Sequence, residues 1–382
     1  MLEYIFSAPG RTEISGNHTD HQRGCVLAAS VNLKTTARVR LNGEAVIRIQ
    51  SEGYPLVEVD INDLSVHPEE KNTTAALVRG VAADFARRGA QIRGFDARVS
   101  STVLPGSGLS SSAAFEVLIG NILNTLFYGD QLDAVEIAKI GQYAENVFFG
   151  KPCGLMDQTA SSVGGMVFID FENPADPRVE KIAFDFSASG YALCIIDTGA
   201  DHADLTDEYA AIPQELKAVC AFFGQEVLRQ IPETSFYANL PALRAQVGDR
   251  AVLRAMHVYE DNKRVLRQKE ALARGDFDAF LRDVKASGRS SWCYLQNVIP
   301  AGRKAHQEVA VSLAMAERLL GGRGACRVHG GGFAGTIQAF VPIDMLDEFR
   351  RGMDAFLGEG MCHVLNITPN GGMLEEKREV EA

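Results

Sequence analysis

Short runs of branched and aromatic residues, bounded by glycines, alternate along this chain with stretches in which apolar positions return every three or four residues. The runs predict strands over 45–49, 95–99, 166–171 and 192–197. The stretches predict helices. Phe115, Leu118, Ile119, Ile122 and Leu126 fall on one helical face, and Ile137, Ile140, Ala144, Val147 and Phe148 on a second. Residues 204–288 are mostly helical in period, and three glycines at 330–332 precede a strand over Thr336 to Val341. The segment ENPADPR at 172–178 carries two prolines among polar neighbours and predicts a domain junction. The expectation is two mixed α and β domains, 1–176 and 177–382, without internal repeat or low-complexity tract.

Composition agrees with two cores. A chain of 382 residues that is 46% apolar and 23% charged can bury that much surface. Its 38 basic and 49 acidic residues give a net charge of −11, which argues against nucleic acid or an anionic membrane as partner but leaves room for a local nucleotide site. No secretory signal pattern opens the sequence and no apolar stretch reaches membrane-spanning length, so a cytoplasmic protein is expected. Seven scattered cysteines without a Cys-x-x-Cys pair suit a reducing compartment, and Cys153 reads as a small filler.

Four segments carry candidate chemistry. In VLPGSGLSSSAAFEV (103–117) a Gly-x-Gly turn with Gly106 and Gly108 runs through Ser110, Ser111 and Ser112 into the first helix. Exposed amides at a helix N-terminus favour an anion such as phosphate. The Gly-Lys-Ser/Thr ending of a Walker loop is absent, and an ordinary glycine-rich helix start is the competing reading. In SAPGRTEISGNHTDHQRG (7–24), Arg11, Asn17, His18, Asp20 and His21 crowd a turn-rich segment suited to hydroxyl recognition. Metal ligation by His18, Asp20 and His21, or a plain solvated loop, compete with that reading. In GQYAENVFFGKPCGLMDQTASSVGG (141–165), Glu145 lies in the second helix; the small-residue run after Asp157 predicts a partly buried carboxylate in need of a partner such as Arg11. The last, RVHGGGFAGTIQAFVP (327–342), reads on its own as a tight turn before a strand.

Taken together, in this order and spacing, the four segments resemble the galactokinase branch of the GHMP small-molecule kinases, and the likeness extends through HVYEDNKRV (257–265), ALARGDFDAF (271–280) and the region 287–291. The resemblance implies an α+β fold of two GHMP-kinase domains with the active site in the cleft between them, transferring the terminal phosphate of ATP to the C1 hydroxyl of galactose. Position by position, it implies that Gly106, Ser107, Gly108, Leu109, Ser110, Ser111 and Ser112 bind phosphate, that Ser112 and Glu145 hold Mg2+, and that Asp157 is the catalytic base beside Arg11. Asn17, His18, Asp20, Gly154 and Tyr209 fall on its sugar contacts. The partners implied are a sugar and ATP, in a monomer or weak homo-oligomer.

The chain also departs from that pattern. Galactokinases usually show Arg-x-Asn and then Gly-Glu-His-x-Asp-Tyr, whereas Glu13, Asn17 and His21 stand at the Asn, Glu and Tyr positions here. An amide in place of a carboxylate keeps one acceptor and loses charge, which admits another sugar: an amino sugar, arabinose or a uronic acid. Thr74 stands where an adenine-side tryptophan is usual, and Ala210 to Gln214 replace the paired arginines after Tyr209. A sugar-binding protein without turnover is a further reading, opposed by the retained Asp157, Arg11, Ser112 and Glu145.

Overall fold

A computed structural model describes residues 2–103, 108–200 and 205–380. Its strands are β1 Leu2–Ser15, β2 Cys25–Leu41, β3 Val46–Ser51, β4 Val57–Asp60, β5 Phe95–Ser101, β6 Met166–Asp170, β7 Arg178–Ile182, β8 Tyr191–Ala200, β9 Ala325–Val328, β10 Gly335–Pro342, β11 Cys362–Leu365 and β12 Met373–Glu379. Its helices are α1 Thr74–Arg87, α2 Ser111–Phe127, α3 Ala134–Tyr143, α4 Met156–Val163, α5 Thr206–Phe222, α6 Glu233–Ala238, α7 Leu240–Val247, α8 Asp249–Ala273, α9 Phe277–Ser290, α10 Glu308–Leu320 and α11 Leu346–Leu357. None is long and apolar enough to cross a membrane.

The chain divides into two compact units. The first comprises Met1–Thr12, Ala29–Gly165 and Ile367–Ala382. Its sheet runs β12-β1-β2-β5-β3-β4. Residues of alternate parity on three strands, Ala37 and Val39, Ile47 and Ile49, Phe95 and Ala97, turn one face inward against Val78, Val81 and Phe85 of α1 and Leu118, Ile119 and Ile122 of α2. The opposite parity is charged, with Arg48 tied to Glu44 and Glu58 and Arg40 to Glu3. After α3 the chain widens into a π-helical turn, Ala144–Phe149, of the kind that often marks a functional position.

The second unit comprises Glu13–Ala28 and Met166–Asn366. Its antiparallel sheet β11-β8-β10-β9 packs against α10 and α11 through Leu313, Ala316, Phe349 and Met353, and a second core gathers α5, α7 and α8. The expected junction at 172–178 is instead the connection of the β6–β7 hairpin, whose register runs from Met166↔Ile182 to Asp170↔Arg178. Its prolines punctuate a chain reversal. The expected boundary between 176 and 177 falls within this hairpin, whereas the two compact units change over at Thr12/Glu13, Ala28/Ala29, Gly165/Met166 and Asn366/Ile367. The N-terminal strand, with residues in both units, and the C-terminal strand β12, which pairs with β1, give the units their discontinuous make-up.

Candidate active site

Residues 7–15, which read as part of a turn-rich loop, are the second half of strand β1, and the turn is confined to 16–24. The charged side chains of this buried strand are paired, Arg11 with Asp157 and Glu13 with Arg327. Arg11 is the one that organises the first unit. Its Nε and Nη2 donate to the two carboxylate oxygens of Asp157, each at 2.6 Å. Its Nη1 donates to the carbonyl of Gly108, and its backbone amide to that of Leu109 at 3.0 Å. One guanidinium thus joins the serine-rich turn to the carboxylate. Asp157 opens α4, where the helix N-terminus favours an anion, and its side chain remains 31% exposed. Burial alone pushes its pKa up, but the charge and hydrogen bonds of Arg11, with a hydrogen bond from Ser110, hold it below the usual carboxylate value.

Gly106 and Ser107 lie outside the described residues, as do Leu104 and Pro105. The chain then enters α2 through a strained backbone: Ser110 holds a left-handed conformation (φ 55) with no side-chain cap on the helix, so Ser111 and Ser112 begin the first turn with its amides uncapped. Ser112 Oγ lies 3.4 Å from Glu145 Oε1. That carboxylate is buried and sits in the π-helical turn. Its Oε1 also accepts from Lys151 Nζ at 3.1 Å, and its Oε2 from Gln158 Nε2 at 2.9 Å. The same Gln158 amide donates to Glu116 Oε2 at 2.9 Å. Burial, then the charge of Glu145, pushes the Glu116 carboxyl well above its ordinary pKa. Beside Ser111 and Ser112 opens a cavity of about 500 Å³ that Leu77, Val99, Val103 and Phe115 line, with Thr74 and Tyr54 also on its wall. Gly154 is exposed just ahead of α4.

In the second unit the triple glycine is a hub of accepting carbonyls. Gly330 accepts from Asn17 Nδ2 at 2.6 Å, Gly331 from His18 Nε2 at 3.0 Å, and Gly332 from the Tyr209 hydroxyl at 2.8 Å. Gly332 has φ +83 and an added Cβ would meet the Asn297 carbonyl at 2.1 Å, so no other residue fits there. The Tyr209 ring stands edge-on to Phe333 at 5.5 Å. Asn17 is fully buried and its amide is taken up by protein: Oδ1 accepts from Asn297 Nδ2 at 2.8 Å and from Ser291 Oγ at 3.2 Å, while Nδ2 also reaches Glu13 Oε1 at 3.3 Å. Its backbone is held by Asp261 and by His257, at 2.9 Å each. His18 keeps a left-handed backbone (φ 59), and its Nδ1 is buried with no partner among the described residues. Burial, then the charge of His21, lowers its pKa to about 4, so the ring is neutral at pH 7. With Nε2 donating to Gly331, Nδ1 is an acceptor. Among the described residues the Asp20 carboxylate has an ion-pair partner in His21 Nε2, at 3.6 Å.

His18, Asp20 and His21 do not form a metal-ligand set with a further donor among the described residues. The pattern of residue types did not single out Asn297, His257, Asp261 and Ser291, which fix Asn17, nor Lys151, Gln158 and Glu116, which surround Glu145. Glu13 entered only as a departure from a pattern; here it is buried against the guanidinium of Arg327, which also donates to Ile14 O at 3.0 Å. A paired charge of this kind leaves no local signature when its partner is hundreds of residues away.

Two family models match: the GHMP kinases N terminal domain over residues 76–165, and the galactokinase galactose-binding signature over 2–41. The galactokinase of Streptomyces coelicolor is 30% identical over 97% of this chain and 93% of its own length, and that of Actinobacillus pleuropneumoniae 34% over 90% and 86%. Among solved structures, Lactococcus lactis galactokinase complexed with galactose superposes with a TM-score of 0.80 at 24% identity, covering 97% of this chain and 95% of that one. The mevalonate kinase of Methanococcus jannaschii has the same fold at a TM-score of 0.68 and 14% identity, covering 95% and 98%. By fold, by signature and by identity over nearly its whole length, the chain belongs to the galactokinase family of GHMP kinases.

Proposed function

We propose that this chain phosphorylates the C1 hydroxyl of galactose with ATP, giving galactose 1-phosphate and ADP. The observation that carries the reading is Arg11, whose guanidinium binds the Asp157 carboxylate on one side and the Gly108 carbonyl of the serine-rich turn on the other. Phosphoryl transfer depends on holding base and phosphate in register, and this ion pair supplies a rigid link between them. The amides at the start of α2, with Gly106 to Ser112, hold the β- and γ-phosphates. The nucleoside occupies the cavity walled by Thr74, Leu77, Phe115 and Tyr54. His18 Nδ1, the Asp20 carboxylate, Tyr209 and the backbone at Gly154 meet sugar hydroxyls, while Asn17, turned inward, positions His18 rather than touching the ligand.

In the transfer step the sugar O1 attacks the γ-phosphorus, a new O–P bond forms, and the bond to the β,γ-bridging oxygen breaks as ADP leaves. Asp157 accepts the O1 proton; Arg11, held beside it, keeps the carboxylate ionised and offsets charge on the transferring group. Mg2+ fits the chain's own donors: the Ser112 hydroxyl and the buried Glu145 carboxylate share one locus and offer only hard oxygens. When bound there it would neutralise phosphate charge. The seven unpaired cysteines suit a cytoplasmic enzyme, acting as a monomer or weak homo-oligomer.

The test is ADP release by the purified protein with ATP, Mg2+ and a panel of galactose, galactosamine, arabinose and galacturonic acid, with phosphorus NMR to locate the ester. Galactose should be turned over fastest and carry phosphate on C1. No ADP with galactose would overturn the proposal.

A further inference from the structure

Glu145 is an acid held in the protein interior. Its side chain is 4% exposed, and it shares the Gln158 amide with Glu116, another buried carboxyl. Asp157 directly precedes Gln158, but Asp157 is held by Arg11 in a bidentate pair. Among the described residues the one cation on Glu145 is Lys151, with Nζ 3.1 Å from Oε1. That oxygen is the same one that faces Ser112 Oγ. An ammonium and a divalent cation on one carboxylate oxygen repel each other and compete for its lone pairs, so each weakens the hold of the other. The two partners are also unequal in freedom: the Lys151 side chain is 62% exposed and can return to water, whereas Glu145 has nowhere to go.

We infer that Lys151 is the resident counter-charge of Glu145, displaced when metal and nucleotide arrive together and then bound to the nucleotide's phosphates. The inference rests on the kinase reading for its second half only. In the empty protein the lysine spares the buried carboxylate an unpaired charge, which is strongly destabilising. Once a cation takes over Oε1, the ammonium is repelled from Glu145. Asp157 also attracts Lys151 but is already paired with Arg11, so the more highly charged triphosphate is the stronger anion for the freed side chain. The exchange keeps the charge at this corner balanced in both states and couples metal entry to nucleotide entry. It also explains why a long, flexible, mostly exposed residue is held against a buried acid at all.

The test uses the full chain, Mn2+ as the metal probe read by electron paramagnetic resonance, and the variants Lys151→Gln and Lys151→Arg. Without nucleotide, Lys151→Gln should bind Mn2+ about fivefold or more tightly than the native protein, because a competing like charge is gone. With nucleotide, the same variant should raise the KM and the dissociation constant for MgATP about tenfold, the loss of one charge-assisted hydrogen bond, with the KM for sugar unchanged. Lys151→Arg should keep both constants near native. These opposite signs separate exchange from simple scaffolding: two constants that weaken together, or neither moving, would overturn the inference. If no sugar is phosphorylated at all, the kinase reading falls, yet the Mn2+ and ATP dissociation constants still judge the lysine.

Discussion

Exchanging the residues at positions 13 and 17 puts the buried polar network of the second unit to a quantitative test. Glu13 holds the carboxylate here and Asn17 the amide, the reverse of the galactokinase pattern that the sequence resembles. Both are buried, and Arg327 and Asn17 Nδ2 bind the same Glu13 oxygen, so the guanidinium and the amide lie within two hydrogen-bond lengths of each other. Glu13→Asn alone strands the Arg327 charge, which is 1% exposed, at a cost of about 3–5 kcal/mol. Asn17→Glu alone removes the donor to the Gly330 carbonyl and sets a second carboxylate against Glu13, together about 4 kcal/mol. If the two costs added, about 8 kcal/mol would be lost, enough to unfold most domains. In the double variant, however, one carboxylate and one amide remain beside Arg327. It should therefore recover at least about 3 kcal/mol of that sum as coupling. Urea unfolding of the four proteins, followed through Trp292, the single tryptophan, measures the cycle. A double variant whose loss equals the sum of the singles would refute the shared-charge account and leave Glu13 and Asn17 as independent packing residues.

Asp157→Asn should lower kcat about 10²- to 10⁴-fold while leaving the ATP dissociation constant nearly unchanged, since shape is kept and the proton acceptor is lost; a turnover assay beside equilibrium nucleotide binding checks it. Arg11→Ala should move the acid limb of the kcat profile to higher pH, because burial then dominates at Asp157 and lifts its pKa. By the same sign, the stability that this depressed carboxylate contributes is present above the ordinary carboxylate value and is lost as pH falls below it. His18, with a pKa of about 4, should leave the sugar KM flat from pH 8 to 6 and raise it only as pH falls toward that value, an inflection that His18→Gln removes. Tyr54→Ala should raise the KM for ATP about fivefold or more, as expected for a lost aromatic contact to a base, without affecting the sugar; an unchanged KM would place the base elsewhere.

The helices and strands nearest the chemistry were legible because they follow periodicity. The face through Phe115, Leu118, Ile119, Ile122 and Leu126 lies on α2 and packs into the core, though α2 is buried on other sides as well, and the branched runs at 45–49 and 95–99 are β3 and β5. The pairing of Asp157 with Arg11 was legible for a different reason: a small-residue run cannot enclose a carboxylate without a cation, and that constraint is physical whatever the fold. The two misreadings share a cause. Residues 7–15 and 172–178 are polar or proline-bearing, which composition reads as loop or linker, yet one is a buried strand and the other a hairpin connection. Polar composition signals exposure only when charges lack partners, and Glu13 finds Arg327 across 314 residues.

The same reasoning applies to Asn17. At its position in the motif, an amide replacing a carboxylate reads as a change in what the sugar meets. In the fold its partners are Gly330, Asn297, Ser291 and Glu13, so the substitution is first a change in how the protein holds itself together. Among the described residues, His18 Nδ1 has no internal partner and the Asp20 carboxylate has His21 at 3.6 Å, which leaves both able to face a ligand. Sugar preference should accordingly follow substitutions at His18 and Asp20 more closely than those at Asn17. An Asn17→Asp variant tests this directly: a panel profile unchanged in rank but measured on a less stable protein is the expected outcome, and a reordered panel on a protein of native stability would return Asn17 to the binding surface.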